Sequence, residues 1–111
     1  MYQSRSLEGS ADALAAHLDE AITAGSVSAS LESSDALSIG DARMVVRTYE
    51  RFSMVGSNRV SLSVSILEVG GQLKVALSSA GGSQAILFKV NTFGEEAFMQ
   101  RGLEALDDFG G

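Results

Sequence analysis

At 111 residues, with 45% hydrophobic and only 20% charged positions, the chain has the size and composition of one folded domain rather than of a disordered segment. The absence of cysteine excludes a disulfide framework, a thiolate nucleophile and a cysteine zinc site, and the lone His17 cannot build a histidine cluster. A formal charge of −6 argues against a general nucleic-acid binder, which needs a basic surface. No stretch approaches the ~20 apolar residues that span a bilayer, and MYQSRSLEGS lacks the charged-then-apolar layout of a signal peptide, so a cytoplasmic protein without membrane contact is expected.

In chain order, residues 2–7 supply a candidate edge strand. Ser10 followed by ADALAAHLDEAITAG then reads as a helix: Ser10 caps the free amides, Leu14, Leu18 and Ile22 recur every four residues, and Gly25 can close the end. Ala11, Ala15 and Ala21 flank this stripe and allow close approach, while His17 falls beside it as a surface or boundary residue without an assigned role.

The middle of the chain alternates with period two, and its turns predict which rows must coincide, because opposed residues of an antiparallel pair share a face. Strands are expected over residues 26–39, 42–55, 59–69, 72–80 and 83–90. Gly40-Asp41 suits a tight turn that sets Leu37 against Met44, Ser33 against Thr48, Leu31 against Glu50, Ala29 against Phe52 and Val27 against Met54. Gly56-Ser57-Asn58 suits a three-residue loop with Met54 against Val60 and Phe52 against Leu62. With Gly70-Gly71 as a two-residue turn, Ile66 meets Val75 and Val64 meets Leu77, while Ser65 meets Ala76 and Ser63 meets Ser78 on the other face. Gly81-Gly82 as a second such turn sets Leu77 against Ile86, Val75 against Phe88 and Leu73 against Val90. Neither glycine pair is a phosphate loop, which would lead straight into a helix and carry the lysine and hydroxyl of GxxxxGK[ST].

Thr92-Phe93-Gly94-Glu95 has the pattern of a capping box opening a second helix, whose apolar face runs through Phe98, Met99, Gly102, Leu103, Leu106 and Phe109. Gly102 on that face implies close backbone contact, since a mid-helix glycine costs about 1 kcal/mol relative to alanine.

Two constellations stand out. On the row expected to face the helices, Ser33, Asp35, Thr48 and Glu50 interrupt the apolar run and make a candidate ligand cleft. A close carboxylate pair there could act as a general acid or hold a cation. The alternatives are that ESSD forms a bulge that reverses the register, or that the long strands run past the helices into solvent. The second constellation is the opposite face, where Arg43, Arg47, Tyr49 and Arg51 run beside Ser63 and other small residues as a candidate interface. It reads as a solvated outer face, a self-association surface or, through arginine and aromatic stacking, a nucleic-acid surface, the last disfavoured by the acidity.

The segment SRSLEGSADALAAHL, the serine-rich meander and SAGGSQAILFKVNTFGEEAF together resemble a small bacterial family of uncharacterised domains over nearly the whole chain. The resemblance implies a bacterial source and carries no catalytic motif across. The layout also looks like the helix-grip and TATA-binding-protein-like architectures, in which helices close over one face of a curved antiparallel sheet. The expectation is therefore a single α+β domain over residues 1–111, an antiparallel meander of five or six strands with two helices on the face lined by Val64, Ile66, Val75, Leu77 and Phe88. With no cofactor fingerprint, no metal spacing and no nucleophile paired with a base, a non-enzymatic binding or assembly module forming a homodimer is the first functional expectation. A small-molecule binder or weakly enzyme-like protein using the cleft near Asp35 and Glu50 is the second.

Overall fold

The computed structural model describes residues 1–24, 28–53, 58–81 and 89–110. The elements run β1 (Tyr2–Glu8), α1 (Ala11–Ala24), β2 (Ser30–Ile39), β3 (Ala42–Ser53), β4 (Asn58–Val69), β5 (Gln72–Gly81) and α2 (Lys89–Asp107). The five strands form one antiparallel sheet in the order β1-β5-β4-β3-β2, and both helices cover one of its faces, α1 over β3 and β4, α2 over β4 and β5. The class is α+β. Among the described residues no helix is long and apolar enough to cross a membrane.

The Gly70-Gly71 turn has the geometry its sequence calls for. Both residues have positive φ, 58° and 80°, a region that costs glycine nothing. The register that follows from it is the observed one: Ile66 opposes Val75, Val64 opposes Leu77, Ser65 opposes Ala76 and Ser63 opposes Ser78. Gly40 likewise has positive φ, and Leu37 opposes Met44 and Ser33 opposes Thr48 as the Gly40-Asp41 turn requires.

Four features depart from the sequence reading. First, β3 and β4 are displaced by an odd number of residues: Tyr49, not Phe52, opposes Leu62, and Phe52 opposes Arg59. An odd displacement turns every side chain of a strand to the other face, so Val45 and Tyr49 lie on the helix side and Met44, Val46 and Phe52 on the bare side. Residues 54–57, where the expected loop lay, are outside the described residues. Second, the free edge of β5 is taken by β1, with Leu7 opposite Leu73, Arg5 opposite Val75 and Gln3 opposite Leu77. β5 is thus paired on both sides, by β4 and β1, where the sequence reading had set residues 83–90. Lys89 and Val90 are helical, and residues 82–88, with Phe88, are outside the described residues. Third, α2 begins at Lys89, ahead of Thr92, so Glu95 closes no capping box; its carboxylate accepts the Gly81 amide at 3.0 Å and pairs with the Met1 amine at 3.7 Å. Fourth, at the other end of the meander β2 starts at Ser30, and a bulge between Leu31 and Ser33 brings Leu31 opposite Tyr49 and Ser30 opposite Glu50. Ala29 precedes the strand, and Val27 and Met54 are outside the described residues.

The first helix opens as its sequence dictates, while Gly25, expected to close it, is outside the described residues. The Ser10 hydroxyl accepts the Ala13 amide at 3.3 Å, and Glu68, reaching from β4, accepts the Ala11 amide at 2.7 Å, placing a carboxylate at the positive end of the helix. Leu14, Leu18 and Ile22 are fully buried, each worth about 1.5–3 kcal/mol of removal from water. Against them and α2's Phe98, Met99 and Leu106 stand Val60, Leu62, Val64 and Ile66 of β4 and Leu73, Val75 and Leu77 of β5. His17, at the boundary of this core, joins the helices: its Nε2 lies 2.8 Å from the Ala105 carbonyl and its ring leans on Phe109.

Gly102 is where α2 comes nearest the sheet. A Cβ there would stand 3.0 Å from Leu77 Cδ2 and 3.1 Å from Leu62 Cδ2. Gly102→Val should therefore lower the unfolding free energy by about 1–3 kcal/mol through overpacking, measured by urea denaturation.

Candidate functional site

Turning β3 over places a row of arginines under the helices, and α1 supplies their partners. Asp12 takes Arg43 in a bidentate pair, with Nε and Nη2 each 3.0 Å from a carboxylate oxygen. Two helical turns later Asp19 takes Arg47, whose Nε lies 3.0 and 3.3 Å from its two oxygens. The spacings agree: seven helical residues rise about 10 Å and four strand residues about 13 Å, so acids two turns apart on a helix match arginines four apart on the strand below.

Asp19 also accepts the Tyr49 hydroxyl at 2.6 Å. Tyr49 is fully buried, and burial first, with the Asp19 hydrogen bond and charge adding to it, pushes its hydroxyl far above the ordinary tyrosine range. Arg51 ends the row with its guanidinium carbon 4.8 Å above the centre of the Phe98 ring, its pKa pushed down by burial and by nearby Arg101. Of the residues expected to form one interface, Arg43, Arg47, Tyr49 and Arg51 thus serve sheet–helix contact, while Ser63 opposes Thr48 on the other face. No buried side-chain nitrogen or oxygen among the described residues lacks a hydrogen-bond partner.

Ser33, Asp35, Thr48 and Glu50 do share one face, as expected, but it is the face without helices, so no cleft between sheet and helices encloses them. Asp35 Oδ1 accepts the amide of its neighbour Ala36 at 2.8 Å, and Glu50 pairs with Arg59 at 2.9 Å, so the two carboxylates are engaged separately. Among the described residues no group of three histidines or carboxylates is placed to hold a metal.

The bare face is the side of the sheet that α1 and α2 leave uncovered. Serines and alanines make its middle flat: Ser61, Ser63 and Ser65 on β4 beside Ala76, Ser78 and Ala80 on β5. Toward the Gly40 and Gly70 turns it becomes apolar, with Leu37, Ile39, Leu67 and Val69 all exposed beside Met44. A shallow groove of about 480 Å³ continues this patch toward β1 between Tyr2, Met44, Leu67 and Lys74. β2 is barer still: from Leu31 to Ile39 every residue is exposed, Leu37 at 59% and Ile39 at 85%. The sequence reading expected the flat serine part of this surface but missed its apolar part, because it assigned β3 the wrong face. The signal that could have found it was the seven-residue spacing of Asp12 and Asp19 set against Arg43 and Arg47.

The buried hydroxyl makes the network testable. Tyr49→Phe should cost about 1.5–3 kcal/mol, the worth of a hydrogen bond to a charged group. Because native Tyr49 holds its proton while the unfolded chain's tyrosine releases its own near pH 10, the unfolded state binds fewer protons above that pH and wild-type stability falls there. Urea unfolding between pH 8 and 11 should show that fall in the wild type and a shallower one in Tyr49→Phe.

No curated protein matches the chain. A family model matches residues 2–110, almost all of the fold just described. The chain belongs to that family, described as a Family of unknown function (DUF6054).

Proposed function

We propose that the domain is a non-enzymatic assembly module that binds a second copy of itself at the exposed β2 end of the sheet, where edge strand and apolar patch meet. The observation that carries the reading is β2, a ten-residue strand at the sheet edge whose residues from Leu31 to Ile39 are all exposed among the described residues, leucine and isoleucine side chains included. Contiguous exposed apolar surface rimmed by polar residues marks interaction sites in soluble proteins, and here Leu37, Ile39 and Leu67 form such a patch bordered by serines and Asp35. The polar residues that sequence patterning offered for catalysis point away from the helices and are held in separate local bonds, which favours binding over chemistry.

Light scattering behind size exclusion, with native mass spectrometry, tests the reading. The wild type should run at twice the mass of one chain, and Leu37→Glu combined with Ile39→Glu should run as a monomer with unchanged far-UV circular dichroism. A single-chain mass carrying a reproducible added mass would overturn it and favour instead a small-molecule ligand in the groove between Tyr2, Met44 and Lys74.

A further inference from the structure

The two edges of the sheet are protected unequally. On β1 the Arg5 side chain bends over the strand and its Nη1 donates to the Ser4 carbonyl at 2.8 Å, and the Met1 amine is fixed on Ser79. β2 contains no lysine, arginine or proline, the residues that usually blunt an edge, and its bulge lies near one end, leaving residues 33–39 in unbroken register with β3. One device remains. The Ala36 amide donates not to β3 but to Asp35 Oδ1, so it points outward from the sheet, and by alternation the outward amides and carbonyls of β2 are those of Ser34, Ala36 and Ser38.

We propose that two copies join through β2, antiparallel about a two-fold axis at Ala36, to give one continuous ten-stranded sheet, with Asp35 as the residue that regulates the seam. The proposal rests on the self-association reading and specifies its geometry. Centring on Ala36 makes the segment self-complementary. Ala36 faces its own copy, Ser34 faces Ser38, and the three outward residues exchange six backbone hydrogen bonds. All three side chains are small and do not themselves obstruct the approach on the helix side. On the bare face Asp35 falls opposite Leu37 and Ser33 opposite Ile39, so no carboxylate meets its own copy. To form the seam, the Asp35 carboxylate must leave the Ala36 amide, which then donates to the carbonyl of the partner's Ala36. Asp35 therefore competes with the second copy for one donor.

Three single variants test the seam. Ala36→Pro removes an outward donor without touching the ladder to β3, and it should weaken dimerisation by more than about ten-fold with unchanged circular dichroism. Asp35→Ala, which frees the amide, should tighten it several-fold. The chain has no cysteine, so Ala36→Cys should crosslink to its own copy under mild oxidation, because hydrogen-bonded antiparallel pairs hold their Cα atoms about 5.5 Å apart, within disulfide range; Ser63→Cys, in the middle of the face, should not. A dimer that survives Ala36→Pro and leaves Ala36→Cys uncrosslinked overturns the seam while self-association stands. A wild type that stays monomeric at high concentration overturns both and leaves the edge open to a strand of a different chain. If Ala36→Pro loses its fold, the crosslinking result alone decides.

Discussion

The structure depends on one carboxylate. Asp19 receives the hydroxyl of a fully buried tyrosine and the guanidinium of Arg47 at once, joining α1 to the middle of β3. Removing polar groups from water is costly unless they are paired, so the arrangement is self-selecting: with β3 turned the other way, Tyr49, Arg47 and Arg43 would lose Asp19 and Asp12, and α1 would cover Met44 and Val46 with its acids unmatched. That choice of face determines everything outward of it. It gives the helices an apolar floor crossed by ion pairs, and it leaves the other side of the sheet to serine, alanine and a patch of leucine, isoleucine and methionine.

The same choice explains how much of the molecule its sequence reveals. Glycine pairs at tight turns fix a register absolutely, which is why the β4–β5 pairing and the face of each of its residues follow from Gly70-Gly71 alone. The helices are legible for a similar local reason: the four-residue recurrence of Leu14, Leu18 and Ile22 and the apolar run from Phe98 to Leu106 admit one buried side each. β3 is different. ARMVVRTYERFS carries apolar side chains on both faces, so periodicity cannot rank Val45 and Tyr49 against Met44, Val46 and Phe52. Only tertiary partners, two aspartates some thirty positions earlier, decide between them. The candidate cleft and the candidate interface both drew on that strand: its residues changed sides, and Ser33 and Asp35 of β2 with them, while Ser63 of β4 stayed on the outer face.

The edge of β5 shows a related limit. Gly81-Gly82 offers a hairpin as plausible in isolation as Gly70-Gly71, yet β1 holds the position instead. A turn signal states that the chain can reverse, not which strand wins the vacant edge when two compete. Here the far strand brings more: Leu7 against the core, the Met1 amine on Ser79, and Glu95 binding both the amine and the end of β5.

That arrangement has a kinetic consequence. The β2-to-β5 meander is made of neighbours in sequence and closes by short loops, whereas the Met1 amine and the Ser79 carbonyl it binds are 78 positions apart. Closing so long a loop sets its entropy against contacts that exist only once β5 is in place, so the meander must assemble before β1 can be added. During synthesis β1 emerges well before β5, the strand it pairs with. Until β1 is added the growing sheet has two open edges, and a strand from elsewhere could take either one.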